Sequence, residues 1–299
     1  MIVIDNLSSG SLDHIRALLG HSRFQFVEGD LLDTELLLRL MAGTEFVYHL
    51  AANPDVKYVC GDPTDKDLKQ NTLASYNVLE AMRLAGVRNL VFSSTSAVYG
   101  LVERLPIRED CSTQPISLYG ATKLSCEALI SAFHHLFGFR CWIFRFANIV
   151  GPKVRTRGRT VISDFISKLR DNPRRLPILG NGNQEKSYLL AKECVDGILF
   201  SVGHSSADFT VLNLGCSDAI TVTRIAQMVV EAMGLSEVEF AYTGTPGGWP
   251  GDVPRFLLDV TAINKIGWHA RHTSEQAVGM AIQAQLERDS PAGQDVCRP

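Results

Sequence analysis

The sequence predicts an α/β protein with an open, doubly wound parallel sheet and a smaller mixed α/β region after it. Apolar runs of strand length alternate with runs of helix length, the connections between most of them are short, and the strand candidates are apolar at nearly every position. Alternation at this spacing is typical of parallel βαβ units. Continuous apolar strands are typical of sheets that helices cover on both faces.

The alternation occupies the first half of the chain. The strand candidates are MIVID, RFQFVEGDL, EFVYHLAA, NLVFSS and RCWIFRFANIVGP. The helix candidates are SLDHIRALL, DTELLLRLMAG, NTLASYNVLEAMRLAG and LYGATKLSCEALISAFHHLFG. Asp33 or Thr34 can cap the second helix, and Gly43 and Gly86 follow the second and third, as glycines commonly do at helix ends. A polar loop runs from residue 53 to about residue 69.

Beyond Pro152 the pattern loosens. TVISDFISKLRD and TVTRIAQMVVEAMG are helix candidates, and Asn181-Gly182 predicts a tight hairpin turn. We therefore expect a dinucleotide-binding domain over residues 1–151 and a substrate-binding domain over residues 152–299. Some segments of the second part are expected to return to the first domain.

The composition and net charge of the chain limit the kinds of partner that it is expected to bind. The 299-residue chain has a formal net charge of −3 and no apolar run near the roughly 20 residues that span a bilayer. These values give no reason to expect a nucleic-acid or membrane partner. The seven cysteines are scattered and form no C-x-x-C pair, which favours reduced thiols in a cytoplasmic protein over disulfides or a metal site.

The carboxyl ends of the strands point to the site, because ligands of open α/β sheets bind outside these ends. The residues there are Asp5, Asp30, His49 to Ala52, Ser93 to Thr95 and Phe146 to Asn148. Asp5 directly follows the apolar run MIVI. In dinucleotide-binding units such a strand is usually the second, and an acid at its tip holds ribose hydroxyls.

The strongest chemical signal combines Thr95, Tyr119 and Lys123. Tyr119 and Lys123 are four residues apart and share one helix face, while Thr95 lies at a strand end. A free phenol has a pKa of about 10 and is a poor base at neutral pH. A neighbouring ammonium, or the positive ring of an oxidised nicotinamide, lowers that pKa, and a hydroxyl can hydrogen-bond the same substrate oxygen. The three residues predict removal of a proton from an alcohol while hydride leaves its carbon.

A solvated helix face is the alternative interpretation of this spacing. Tyr-x-x-x-Lys occurs a second time, at Tyr188 and Lys192, but there it begins on a strand candidate with no hydroxyl-rich strand end before it. We interpret the second match as chance and the first as catalytic.

An ordered series of motifs carries a family resemblance. DNLSSG, EGDLLD, VYHLAA, NTLASYNVLEAMRLAGV, VFSSTSAVYG, YGATK, FRFANIVGP and PGDVP follow one another, and the match extends to about Gln285. The chain thereby resembles the extended short-chain dehydrogenase/reductase family, and within it nucleotide-sugar epimerases of the UDP-glucose 4-epimerase type. The resemblance implies a Rossmann-type sheet, NAD as cofactor and a UDP-hexose as substrate. It also implies a homodimer that pairs through helices near residues 71–86 and 117–137.

The resemblance assigns roles residue by residue. Tyr119 would be the catalytic base and acid, Lys123 the anchor of the nicotinamide ribose, and Thr95 the partner of the sugar oxygen. The residues that resemble cofactor contacts, besides Tyr119 and Lys123, are Asp5, Asn6, Ser8, Ser9, Gly10, Asp30, Leu31, Leu50, Ala51, Ala52 and Asn71. Those that resemble substrate contacts, besides Thr95, are Asn148, Lys186, Asp252 and Phe256. An acid at position 5 disfavours a 2′-phosphate, so NAD is expected rather than NADP.

The implied reaction is epimerisation at C4 through a transient 4-keto sugar. Dehydratases of the family carry an acidic pair after the threonine, whereas Ser96 and Ala97 follow Thr95 here, which disfavours dehydration. Phe256 is bulky where the family tunes room for an N-acetyl group, which favours plain hexoses. Trp249 stands where the family often has arginine, which leaves the nucleotide open. The alternatives are a hexuronate epimerase or decarboxylase, and a non-catalytic relic that binds a partner or a nucleotide sugar.

Members of this family begin with a strand, a G-x-x-G-x-x-G turn and a helix ahead of the strand that resembles MIVID. None of the 24 glycines here makes that motif or G-x-G-x-x-G, so this sequence encodes no such pyrophosphate cradle. The first strand is central in the order 3-2-1-4-5-6, and its loss predicts a slot about 10 Å wide. Buried backbone left unpaired costs on the order of 1–3 kcal/mol per group, against a total stability of roughly 5–15 kcal/mol.

We therefore expect a truncated sequence rather than a natural protein without the turn, and we expect the 299 residues alone to hold NAD poorly. The coding DNA upstream of Met1 discriminates between the two. An in-frame glycine turn supports the enzyme, and an immediate stop codon supports the relic.

Overall fold

A computed structural model describes residues 1–57, 63–151 and 160–288 of the chain. Contacts divide it into two compact units. The first comprises Met1–Leu101, Ser112–Arg145 and Ser205–Leu212, and the second comprises Val102–Cys111, Phe146–His204 and the chain from Asn213 onward. Each unit is thus assembled from separate segments, whereas the sequence predicts one main boundary after residue 151.

The described residues form thirteen strands and nine α-helices. The strands are β1 Ile2–Asp5, β2 Gln25–Glu28, β3 Phe46–His49, β4 Asn89–Thr95, β5 Arg140–Phe146, β6 Asn148–Val150, β7 Arg175–Ile178, β8 Glu185–Lys186, β9 Tyr188–Leu190, β10 Phe209–Leu214, β11 Ile220–Thr221, β12 Glu239–Tyr242 and β13 Arg255–Phe256. The helices are α1 Thr34–Met41, α2 Asp65–Asp67, α3 Ala74–Ala85, α4 Leu118–Phe137, α5 Val161–Asp171, α6 Ala191–His204, α7 Val222–Ala232, α8 Thr261–Ile266 and α9 Ser274–Arg288.

The first unit contains two separate parallel arrangements. β1 pairs with β2 alone, and β3 begins a four-stranded sheet of order β10-β5-β4-β3 in which β3 and β4 run parallel. Within the described residues, no strand pairs with both β1 and β3. This agrees with the expected interruption of the sheet between the strands that resemble the family's second and fourth.

Burial follows the same division. β4 and β5 each bury five consecutive interior residues, whereas no residue of β1 is buried and β3 buries only His49. The core of the first unit gathers side chains of α1, α3, α4, β4 and β5, among them Leu37, Met82, Phe92, Ile130 and Ile143. Because buried apolar area is the main stabilising term, the four-stranded sheet and its helices form the stable part of this unit.

Local chemistry explains where the principal helices begin and end. The Asp33 side chain accepts from the Leu36 amide at 3.0 Å and caps α1, and the Ser117 hydroxyl accepts from the Gly120 amide at 3.1 Å and caps α4. Gly86 ends α3 in the left-handed region, at φ 76°. The caps predicted from the sequence for α1 and α3 are therefore confirmed.

The structure corrects two predicted elements of the first half. SLDHIRALL forms two 3-10 turns, Leu12–His14 and Arg16–Leu18, rather than one helix. None of their residues is buried, so packing does not stabilise a longer helix. The run predicted as one strand from residue 140 to residue 152 ends at Phe146, and β6 pairs with β9 in the second unit.

The second unit surrounds its own apolar core. α5, α7 and α9 contribute residues such as Phe165, Ile225 and Ile282, and β7 and β9 contribute Leu176 and Leu190. The three small sheets have the orders β11-β8-β13, β12-β7 and β6-β9.

The predicted hairpin at Asn181-Gly182 is wrong. Gly182 does turn the chain, at φ 79°, but the flanking strands do not pair with each other. β7 pairs with β12, while β8 pairs with β11 and β13. Inside this turn the Gln184 side chain donates to the Leu179 carbonyl at 2.8 Å. The main-chain carbonyl of Gln184 accepts from the Val222 amide. These longer-range contacts redirect the chain into another sheet.

Three further features of the described residues bear on the class of protein. No helix among them is both long and apolar enough to cross a membrane. No group of three or more His, Cys, Asp or Glu residues in the same ranges could hold a metal ion. The five cysteines that the structure describes are free thiols, and Cys60 and Cys297 lie outside the described residues.

Candidate active site

The loop after β1 and the end of β2 bring together four of the predicted cofactor residues. Oδ1 of Asp5 accepts from the Leu7 amide at 2.7 Å, and Nδ2 of Asn6 donates to Oδ2 of Asp30 at 2.9 Å. Oδ1 of Asn6 accepts from the Ser8 amide at 3.1 Å. The side chains therefore hold the loop against both strand ends, and the Asp5 carboxylate keeps further acceptor positions for ligand hydroxyls.

Gly10 completes this loop for a steric reason. A Cβ atom at Gly10 would lie 3.2 Å from both carboxylate oxygens of Asp5, which is tighter than ordinary contact. Its absence leaves room over the carboxylate. The neighbouring Ser9 is exposed. The main-chain carbonyl of Leu31 accepts from Asn77 at 3.0 Å, which ties this end of the loop to α3.

The segment after β3 is more open. Leu50 and Ala51 are exposed and Ala52 is partly buried. Asn71, by contrast, is buried within a π-helical segment, Leu68–Leu73, that leads into α3. Its Oδ1 accepts from the Asn53 amide at 2.8 Å, and its Nδ2 donates to Oγ1 of Thr122 at 2.9 Å. The structure thus joins the loop after β3 to α4 through Asn71.

Thr95 and Tyr119 meet side chain to side chain. Thr95 ends β4, and its Oγ1 accepts from the Ala97 amide at 3.2 Å, which caps a 3-10 turn over Ser96–Val98. Tyr119 is the second residue of α4 and is partly buried. The Thr95 side chain lies close enough to the Tyr119 phenol to lower the pKa of that phenol. The predicted proximity of these two residues is therefore present in the fold.

Lys123 lies one helical turn after Tyr119 and is 2% exposed. Its Nζ donates to the Ser93 carbonyl at 2.8 Å and lies 4.7 Å from the centre of the Phe92 ring. An ammonium has three donors, so two remain for other partners. The lysine thus joins α4 to the end of β4 while its terminal group stays close to the residues before Thr95.

The electrostatics differ from the sequence prediction. Burial raises the pKa of Tyr119 to about 12. The Thr95 side chain lowers this pKa, whereas Asp67 and Cys126 raise it further. Burial lowers the pKa of Lys123 to about 8. The prediction that Lys123 brings the phenol below its ordinary pKa is wrong for the protein alone. The reason is that loss of hydration, the largest effect at Tyr119, disfavours the phenolate.

His49, at the end of β3, is a buried neighbour that the sequence reasoning left without a role. Its Nε2 lies 2.8 Å from Oγ of Ser75, and Sγ of Cys126 donates to the same Oγ at 3.3 Å. Burial, and then the positive charge of Lys123, lower the pKa of His49 to about 3. His49 is therefore neutral beside Lys123. The sequence signal for His49 was its position directly before Leu50 to Ala52, which are predicted cofactor contacts.

Glu127 and Arg145 were also missed. They form a buried ion pair at 2.7 Å, and Ser94 donates to Glu127. The only sequence signal was an acid one turn after Lys123 on an otherwise apolar helix stretch, because Arg145 is brought to it by the fold.

The second unit groups three of the four predicted substrate residues. Nζ of Lys186 lies 2.5 Å from Oδ1 of Asp252, whose Oδ2 accepts from the Gly248 amide at 2.9 Å. Lys186 and Phe256 are paired neighbours on β8 and β13, and Nζ of Lys186 lies 5.2 Å from the Trp249 ring. The indole Nε1 of Trp249 is buried and has no protein partner in the part of the chain that is described.

Asn148 lies apart from that group, on β6. It is paired with Tyr188 on β9, and its side chain hydrogen-bonds the Tyr188 phenol, whose pKa burial raises to about 12. Tyr188 is on a strand and Lys192 is on α6, so the second Tyr-x-x-x-Lys match does not share one helix face.

Comparisons with known proteins show the family of the chain. Residues 1–215 match the model of the NAD dependent epimerase/dehydratase family. A UDP-glucose 4-epimerase of Azospirillum brasilense is 30% identical over 91% of this chain and 80% of its own length. The crystal structure of a UDP-galactose 4-epimerase, 36% identical, superposes with a TM-score of 0.84 over 97% of this chain and 91% of that one. The structure of MoeE5 in complex with UDP-glucuronic acid and NAD is 26% identical, with a TM-score of 0.82 over 96% and 90% of the two chains.

Proposed function

The chain belongs to the NAD dependent epimerase/dehydratase family and is an NAD-dependent sugar epimerase, and from this premise we propose that it interconverts UDP-glucose and UDP-galactose at C4. The placement of Tyr119 at the start of α4, with Lys123 one turn further on and Thr95 at the end of β4, is the observation that carries the proposal. It offers a proton acceptor and a hydroxyl donor to one sugar oxygen.

Tyr119 removes the proton from the 4-hydroxyl of the sugar and returns it after the intermediate has turned. Thr95 donates its hydroxyl hydrogen to the same sugar oxygen, which stabilises the negative charge that develops there. When bound, NAD would supply the acceptor for the C4 hydride and the donor for its return. Because burial raises the pKa of Tyr119 in the protein alone, proton removal requires nearby positive charge, and we assign this part to the Lys123 ammonium one helical turn further on.

The residues present fit NAD at two of its parts. The Asp5 carboxylate, with Asn6 and the open space at Gly10, would hold the adenosine ribose, and Asp30 with Leu31 would border the adenine. Lys123 has two donors left for the nicotinamide ribose. Contacts to the pyrophosphate are not assigned to any described residue, in keeping with the lack of a glycine-rich turn motif in this sequence.

We assign the nucleotide sugar to the residues of the second unit named above. Asn148 and Lys186 would contact the diphosphate, with Asp252 and Phe256 against the uridine and the sugar. The Lys186 charge is largely neutralised by Asp252 at 2.5 Å, so the unpartnered Trp249 N–H is a further donor for a phosphate oxygen. The bulk of Phe256 favours a plain hexose over an N-acetylhexosamine.

The decisive experiment measures the interconversion of UDP-glucose and UDP-galactose by NMR or chromatography, with and without added NAD. With added NAD, wild-type protein should interconvert UDP-glucose and UDP-galactose with no net redox change. Tyr119→Phe should lower kcat by about 10²–10⁴-fold, since it removes the proton acceptor. Tyr242→Phe, which deletes a phenol hydrogen-bonded to Thr223, is the matched control and should retain activity. Full activity of Tyr119→Phe would refute the assigned base.

A hexuronate enzyme is the second candidate, because a 26% identical structure contains UDP-glucuronic acid and NAD. UDP-glucuronate therefore belongs in the same assay. Its conversion to UDP-galacturonate or to a decarboxylated sugar, with UDP-glucose left unchanged, would replace the first proposal by the second.

We further propose a homodimer in the cytoplasm. Large apolar side chains are exposed on α3 and α4, with Leu84 at 56% and Leu136 at 72%. Two helix faces of this kind can bury each other across a two-fold axis. Free thiols at every described cysteine fit a reducing compartment. Sedimentation of Leu136→Glu against wild type tests the dimer, because a charge on that face should yield monomer.

A further inference from the structure

The buried ion pair between Glu127 and Arg145 has no role in the proposed function. Both side chains are less than a tenth exposed. Nη2 of Arg145 donates to Oε2 of Glu127 at 2.7 Å, and Nε donates to Oε1 at 3.1 Å. Two buried charges pay a large desolvation penalty, so such a pair is weak evidence for a purely stabilising role.

The pair connects four segments of the first unit. Oγ of Ser94, near the end of β4, donates to Oε1 of Glu127 on α4. Nη1 of Arg145, on β5, donates to the Tyr99 hydroxyl at 3.0 Å, and the guanidinium lies 4.8 Å from the Tyr99 ring. Tyr99 directly follows the 3-10 turn that Thr95 caps. We call Ser94, Glu127 and Arg145 the Ser94 clamp.

The clamp is adjacent to the three proposed catalytic residues along two elements at once. Ser94 precedes Thr95 on β4, and Glu127 lies one helical turn after Lys123 on α4. Lys123 makes a parallel connection, from its Nζ to the Ser93 carbonyl. Two side-chain hydrogen bonds therefore fix the register of α4 against the end of β4, at consecutive strand residues and consecutive helix turns.

We propose that the Ser94 clamp positions the Thr95 hydroxyl against the Tyr119 phenol, with Glu127 as the positioning residue that acts through Ser94 and Arg145 as the charge that holds Glu127 in place. The inference rests on the proposed function, and none of the three side chains is assigned a contact with substrate. A displacement of about 1 Å is enough to break a hydrogen bond, and misplacement of this size between Thr95 and Tyr119 can cost about 10²-fold in rate.

The test compares Ser94→Ala with Asp33→Ala, which removes the cap of α1 in the same unit and lowers stability away from Thr95 and Tyr119. Two readouts are followed: the NMR resonance of the hydroxyl-bearing carbon Cζ of Tyr119, assigned with Tyr119→Phe, and the pH profile of kcat. Ser94→Ala should shift the Cζ resonance and lower kcat about 10- to 100-fold with little change in KM. The acid limb of its profile should move to higher pH, because Thr95 no longer lowers the Tyr119 pKa while burial, Asp67 and Cys126 still raise it.

Asp33→Ala should leave the Cζ resonance and the shape of the profile unchanged, since partial unfolding reduces kcat equally at every pH. Ser94→Thr, which keeps the hydroxyl, should recover most of the lost rate. The proposal is overturned if Ser94→Ala moves neither readout more than Asp33→Ala does. Should Ser94→Ala fail to fold, Tyr99→Phe removes one hydroxyl from the same network, and an unchanged Cζ resonance there overturns the proposal equally.

The Cζ comparison needs no substrate. It therefore decides the positioning role even if wild-type protein leaves both UDP-hexoses unchanged, an outcome that would refute the proposed function alone.

Discussion

Nζ of Lys123 donates a 2.8 Å hydrogen bond to the carbonyl oxygen of Ser93 inside a site where the lysine is 2% exposed. Burial lowers the pKa of this ammonium from its ordinary 10.5 to about 8. The unfolded chain therefore binds more protons than the folded protein between about pH 8 and pH 10.5. Stability linked to Lys123 must rise with pH through this window, because the desolvation penalty of the charged form disappears there.

Lys123→Met isolates this effect. We expect the free energy of unfolding of wild type, relative to the variant, to increase by about 2 kcal/mol between pH 7.5 and pH 9.5, since one shifted proton is worth about 1.4 kcal/mol per pH unit. Urea unfolding at several pH values measures it. Lys192→Met is the control for loss of an exposed lysine. A flat difference for Lys123→Met would contradict the lowered pKa.

Gly120 lets α4 approach the turn after Thr95. A Cβ atom at this position would lie 2.6 Å from the Ala97 carbonyl oxygen and 3.1 Å from Cβ of Pro115. Gly120→Ala should therefore move the start of α4, lower stability by about 1–3 kcal/mol and separate Tyr119 from Thr95. Thermal unfolding and epimerase turnover together measure the two consequences.

Gly203→Ala is the matched control, because Gly203 also lies in a helix and no atom lies within 4 Å of its added Cβ. It should be neutral or stabilising by up to about 1 kcal/mol, as expected for alanine in place of a helical glycine. If both variants behave alike, the close approach at Gly120 does not constrain the site.

The Lys186–Asp252 pair should matter more to folding than the pair beside it. Its side chains are 13% and 3% exposed, whereas those of Arg255 and Glu185 in the same small sheet are 64% and 34% exposed. Asp252→Asn should cost about 3 kcal/mol, since it leaves a mostly buried charge without its partner. Glu185→Gln should cost less than about 1 kcal/mol. Equal costs in chemical denaturation would show that solvent screens both pairs to the same extent.

The sequence was sufficient for the features that depend on local periodicity. Most strands and helices of the first half, with the caps of α1 and α3, follow from apolar runs and from residues such as Asp33 and Gly86. The place of Thr95 at the edge of the sheet was predictable because parallel strands have their carboxyl ends at one edge. Strand partners were less predictable. The turn at Gly182 has hairpin chemistry, yet tertiary contacts send β7 and β8 to different sheets.

The electrostatics of the site could not be predicted from spacing. Four residues between Tyr119 and Lys123 place both on one helix face, but the pKa of each depends on how much water the fold removes. The same limit applies to Glu127, because its partner Arg145 is 18 residues away on β5 and its burial is a property of the assembled core. Residue type suggested the chemistry, while burial fixed the protonation states.

The separated strands of the first unit lead to a prediction about local stability. β1 and β2 form a two-stranded parallel sheet with no buried residue in β1, whereas β4 lies between β3 and β5. Amides of β1 and β2 should exchange with solvent at least about 100-fold faster than those of Val91 and Phe92 in hydrogen-exchange mass spectrometry. β7 and β12 are the matched control, because they also form a two-stranded parallel sheet of four-residue strands but bury Leu176 and Ile178. They should exchange more slowly than β1 and β2, and equal protection of the two small sheets would contradict the view that side-chain burial, rather than strand number, sets the protection.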